Sequence, residues 1–217
     1  MEMQEIDCEL IKRENEAMIR AHGGEICDWL PHLDNDSPAR DARAAARRAL
    51  VLNAMLQIAF NAPITVIRKW IASNGLDGEL SPSEQAILEK DDTDLTEQER
   101  ANLYWYIEAL WALAWAAGKV EDLAFNKSVG PELASLMPNL RENEGGEAFI
   151  SQAKLRPRSE LFRMTDLYYR LHWWTRTAHL HGEPSGDVRL DIVMERRKAL
   201  EWLLNGNGTW DDVELSI

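Results

Sequence analysis

The chain has 217 residues, 45% hydrophobic and 28% charged, as expected of an ordinary globular domain with its own core. Its 24 basic and 37 acidic residues leave a formal charge of −13, which argues against general binding to nucleic acid or anionic membranes. No apolar run reaches the roughly 20 residues of a bilayer span, and the acidic start MEMQEIDCELIKRENE lacks a secretory signal's basic and apolar regions, so the cytoplasm is the expected compartment.

Periodicity is helical almost throughout. Residues 3–21 read as a first helix with Ile6, Leu10, Ala17 and Met18 on one side, ended by Gly23-Gly24. Residues 26–38 are loop-like, and 39–61 suit a long Ala- and Arg-rich helix. Pro63 opens the next helix and Asn74-Gly75 closes it. Ser81-Pro82-Ser83-Glu84 and Thr96-Glu97-Gln98-Glu99 are capping boxes, and the second begins a helix running to Gly118. Residues 119–144 are irregular, with a short turn near 131–137. Helices follow at about 146–154, from Pro157 to Gly182, and at about 188–204, before an extended tail. The expected fold is all-α: one compact multi-helix domain over 39–217, with residues 1–38 an acidic helical arm whose residues 1–24 dock loosely, as an amphipathic helix, on the body or on a second subunit. The helices starting near Glu97 and Pro157 are expected to be the most buried.

Charge is uneven. Residues 1–38 hold ten acidic and three basic side chains and residues 76–100 nine and two, whereas residues 151–182 hold six basic and two acidic. Three helices combine charges with apolar surroundings. On 97–117, one face carries Leu103, Tyr106, Ile107, Leu110, Leu113 and Ala114. The other carries Tyr104, Glu108, Trp111 and Trp115, so the helix is expected to be covered on both sides. Glu108 among rings must be paired or take up a proton. On 158–181, Asp166 and Arg170 stand four apart and can pair, with Tyr169 and Trp173 on the same side. On 188–204, Arg196 falls inside the stripe Ile192, Val193, Ala199, Leu200, Leu203, and its permanent charge calls for Glu108 or Asp166 in a two-point contact. Glu195 lies on the flank. The two acids and two bases, Glu108, Asp166, Arg170 and Arg196, form either a core network or the floor of a pocket.

The strings WYIEALWALAWAAG at 105–118, DLYYRLHWW at 166–174, ERRKALEWLL at 195–204 and TWDDV at 209–213 resemble domain-of-unknown-function family 4272, a set of mostly bacterial proteins. The resemblance runs from about Arg40 to Val213 and implies no activity. The motif residues it implies are Glu108, Leu110, Trp111, Asp166, Tyr169, Arg170, His172, Trp173, Glu195, Arg196, Trp202, Trp210 and Asp211. Where the family carries a histidine-tyrosine pair after Glu-Arg, this chain has Arg197-Lys198.

Catalytic chemistry finds little support. Asp28 and His32 are separated by Pro31, and His172 and His179 lie about 10 Å apart along a helix, so no metal site is expected. No cofactor motif occurs: there is no phosphate-binding or dinucleotide glycine pattern and no nucleophile elbow. Cys8 and Cys27 make no framework. The expected function is a non-catalytic interaction module for a basic protein partner, by analogy with acidic proteins that neutralise toxins. The alternative is a hydrolase or small-anion-binding protein built on Glu108, Asp166, Arg170 and Arg196.

Overall fold

The computed structural model describes residues 6–33 and 35–217. Among these residues there are nine α-helices and no strand: α1 Cys8–Ala21, α2 Ala42–Ala59, α3 Ile64–Ser73, α4 Pro82–Leu88, α5 Glu97–Ala116, α6 Leu133–Leu136, α7 Glu147–Ser151, α8 Arg158–His181 and α9 Leu190–Leu204. The all-α expectation holds. Both capping boxes form, each side-chain oxygen accepting from the N–H three residues on while the glutamate returns to the cap. Asp41 caps α2 by accepting from the Ala44 N–H at 2.7 Å. Pro63 stands just ahead of α3 rather than inside it. The helix expected over 146–154 is a five-residue α7. The predicted start of the first helix at residue 3 lies outside the described residues.

The main helices pack as a row, α2 against α5, α5 against α9, α9 against α8, and α8 against α1, while α3 and α7 lie on α2 and α4 on α3. Position in this row explains α5. From Glu108 through Ala116 every residue is buried, because α2 covers one side and α9 the other. The most enclosed helices include α2 as well as α5 and α8: Arg48 through Leu56 is an unbroken buried run, its alanines letting α5 and α7 approach closely.

The buried face of α1 differs from the predicted stripe. Ile11, Asn15, Glu16 and Ile19 face inward, while Ala17 and Met18 are exposed. Two buried positions are polar because their partners stand on α8, a cause invisible to apolar periodicity. Gly23, at φ +81°, ends the helix, and Gly24 passes so close to Trp174 that a Cβ there would lie 2.7 Å from the indole. Ile11 and Ile19 join the main core.

Candidate functional site

The predicted four-residue cluster is two separate assemblies, one on each side of α8. In the first, Arg196 of α9 is fully sealed, at 0% exposure. Its Nε and Nη2 donate to Glu108 Oε2 at 2.9 and 2.7 Å, Nη1 donates to the Ala124 carbonyl at 2.7 Å and the Tyr168 hydroxyl at 3.0 Å, and Nη2 also reaches the Lys127 carbonyl at 2.7 Å. The guanidinium therefore has no free donor direction. The expected two-point contact with Glu108 is a convergence on one oxygen instead, since Oε1 accepts from the Val129 N–H at 3.3 Å. Burial raises the Tyr168 phenol to about 12 against the pull of Arg196.

In the second assembly, Arg170 grips Asp166 at two points, Nε to Oδ2 at 2.9 Å and Nη2 to Oδ1 at 2.7 Å. Both belong to α8, one turn apart. The assembly is completed from α1: Asn15 Nδ2 donates to Asp166 Oδ2 at 2.9 Å, and Arg170 Nη1 donates to Glu16 Oε1 at 3.3 Å. Among the described residues no hydrogen bond or ion pair joins this assembly to the first.

The remaining expected site residues fall into other environments. His172 is buried on α8, where its Nδ1 meets Arg197 Nη1 of α9 at 2.6 Å. Burial first, then the Arg197 and Arg176 charges, push the imidazole down to about 3. Arg197 also donates to Glu201 Oε1 at 2.6 Å. It stacks 4.8 Å from the Tyr169 ring, which packs with Cys27 and Leu30 beside half-buried Trp173. Glu195 stands apart, half-buried, with no hydrogen-bonding partner among the described residues. Burial raises its carboxyl to about 7, with Lys198 pulling it back and Glu108 and Asp191 adding to the rise.

One clamp escaped the sequence reading. Arg48 of α2 donates from Nη1 to Glu84 Oε2 at 2.9 Å and from Nη2 to Glu84 Oε1, both residues fully buried. Glu84 was legible only as a cap residue, and Arg48 only as one of several arginines on a helix with an alanine-rich start. The Arg196 argument, a fixed charge inside an apolar run, applies equally to Arg48. The Trp210 ring lies 4.3 Å from the Arg48 guanidinium, and Asp211 accepts from the Ser83 N–H and hydroxyl at 2.9 Å, fastening the tail to α2 and α4.

A cleft of about 390 Å³ opens beside the end of α9, lined by Thr165, Trp202, Asn205 and Thr209. Its charged lining is acidic: Glu201, Asp212 and Glu214. Among the described residues no group of three or more His, Cys, Asp or Glu is placed to hold a metal ion, and no helix is long and apolar enough to cross a membrane.

These features define a helical protein in which several motif residues, among them Glu108, Asp166, Arg170, His172 and Arg196, fasten the seams between neighbouring helices. The chain belongs to the family described as Domain of unknown function (DUF4272), whose model matches residues 11–213. That match begins inside α1, ahead of the start near Arg40 read from the motifs, in keeping with the contacts of Asn15 and Glu16 on α8. No curated protein and no solved structure matches the chain.

Proposed function

We propose that this chain is a non-catalytic cytoplasmic interaction module that binds a basic protein partner. The observation that carries the reading is the direction in which its charges face. Arginines are turned onto internal acceptors: Arg48, Arg170, Arg196 and Arg197 onto carboxylates, and Arg40, Arg100 and Arg158 onto main-chain carbonyls. Carboxylates such as Asp91, Asp94 and Glu97 face outward with no ion pair among the described residues. A chain of net charge −13 with these seven guanidinium groups committed inside offers surface acceptors to a cationic partner.

The anion-binding alternative is weaker on the same ground. Arg196 has no donor left for a ligand, and the charged groups lining the cleft at α9 would repel an anion. The free cysteines Cys8 and Cys27 suit a reducing compartment. Affinity capture from host lysate at low and moderate salt tests the reading. A basic protein retained near one-to-one and released as salt rises is the expected result. Recovery of no stoichiometric partner at either salt contradicts it.

A further inference from the structure

Six rings among the described residues carry an arginine or lysine over a face, for example Trp202 under Arg40 at 4.2 Å, Trp115 under Arg156 at 4.8 Å and Trp105 under Arg189 at 5.4 Å. Among the rings that carry no cation, Phe60 and Tyr104 stand together at the surface. They are 48% and 47% exposed, and their rings meet edge to face at 5.9 Å.

Exposed carboxylates stand in the segment that borders the same corner. Phe60 ends α2, and the segment leading into α5 crosses that corner: Asp92 accepts from the Ile64 N–H at 2.7 Å, and Arg100 donates to the Ile58 carbonyl at 2.7 Å. Glu97 lies two turns before Tyr104 on one stripe of α5, about 10 Å away along the axis. Asp91 and Asp94 are exposed in the same segment. Aromatic faces and carboxylates both select for a positive charge, the first by the ring quadrupole and the second by direct attraction.

We infer that the Phe60–Tyr104 corner, bordered by Asp91, Asp94 and Glu97, is the docking face for the basic partner, taking a segment that lays lysine or arginine on the exposed rings. This inference rests on the proposed function and adds the place and the recognition chemistry. Trp29 is 77% exposed and lacks a cation, but it has no neighbouring ring and stands in a loop where Lys12 and Arg20 approach Asp28. It is therefore the control.

The probe is a synthetic helical peptide of leucine and lysine, with a leucine-glutamate peptide for comparison, titrated into the full chain at low and physiological salt. The wild type is expected to bind the lysine peptide alone. The double change Phe60→Ser, Tyr104→Ser is expected to weaken binding about tenfold. The change Asp91→Asn, Asp94→Asn, Glu97→Gln should weaken it and flatten its salt dependence, and Trp29→Ser should leave it unaltered. All these positions are exposed, and circular dichroism checks that each variant keeps its helix content. Equal binding by wild type and both face variants overturns the docking face while leaving the basic-partner reading intact. Failure of the wild type to prefer the lysine peptide overturns both. Self-association that Phe60→Ser, Tyr104→Ser abolishes assigns the face to a second copy and overturns the inference.

Discussion

Arg197 donates from Nη1 to Nδ1 of His172 at 2.6 Å. A guanidinium has no acceptor, so Nδ1 must be the accepting nitrogen and the imidazole proton must sit on Nε2. The pair joins α8 to α9, and the histidine is held neutral first by burial and then by the repulsion that a second positive charge beside Arg197 would meet. Arg197 stands where the resemblance implies a histidine, and here it binds His172, another residue that the resemblance implies as a motif position.

The pH consequence has a definite sign. His172 falls from 6.5 in the unfolded chain to about 3 when folded, so between those values the unfolded state binds a proton that the folded state refuses. Stability is expected to fall as pH drops from 6.5 toward 3. His172→Asn offers Arg197 a non-titrating acceptor. The difference between wild-type and variant urea midpoints should grow in the variant's favour across that window, and a constant difference contradicts the assignment.

Glu195 gives the opposite slope. Its carboxyl rises from 4.5 to about 7, so the folded state keeps a proton that the unfolded state has released. The contribution is full below pH 4.5 and is lost as pH rises through 7. Glu195→Gln, a copy of the protonated form, is expected to match wild type at pH 4 and to exceed it in urea midpoint at pH 8. Equal midpoints at pH 8 would mean that the carboxylate is solvated or paired.

The α1 seam is testable through Asn15. Its side chain bridges Asp166 Oδ2 and the Arg163 carbonyl, both at 2.9 Å. Asn15→Ala removes the donors, leaving a buried carboxylate short of a partner. A loss of about 1–3 kcal/mol in urea unfolding is expected. A loss below about 0.5 kcal/mol would show that α1 docks too loosely to matter.

Arg48 and Glu84 supply a second clamp. Glu84→Ala removes a cap partner and strands the Arg48 charge, so its cost should exceed the roughly 1 kcal/mol of an ordinary cap and approach about 3–5 kcal/mol. Thr96→Ala, which removes the cap of α5 without touching a buried charge, is the internal comparison. Equal costs for the two would contradict a structural role for Arg48.

Much of this fold can be read from residue pattern alone. The capping boxes at Ser81 and Thr96 and the glycines at 23 and 182 mark helix ends by chemistry local to the chain. Arg196 betrays a buried partner because a charge that cannot be shed stands among Ile192, Val193 and Leu200. Periodicity orients residues on their own helix without saying which helices face each other. That is why Glu108, Asp166, Arg170 and Arg196 read as one cluster when α8 separates them into two. Two of the acceptors for Arg196, the carbonyls of Ala124 and Lys127, are main-chain atoms that every residue type carries, so no side-chain pattern marks them. Asn15 and Glu16 fall outside the apolar stripe predicted for the first helix, because their partners lie about 150 positions away.

The central claim is that several motif residues, Glu108 and Arg196 among them, fasten helices together, and its most direct test is a double-mutant cycle across the α5–α9 seam. Arg196→Met, Glu108→Gln and the combined change are compared by urea unfolding at pH 7. Arg196→Met is expected to cost at least ~2 kcal/mol, because it leaves Glu108 buried without its partner. The combined change should lose less than the sum of the single changes, by at least ~1 kcal/mol. Additivity within about 0.5 kcal/mol would contradict the claim, freeing Arg196 from Glu108.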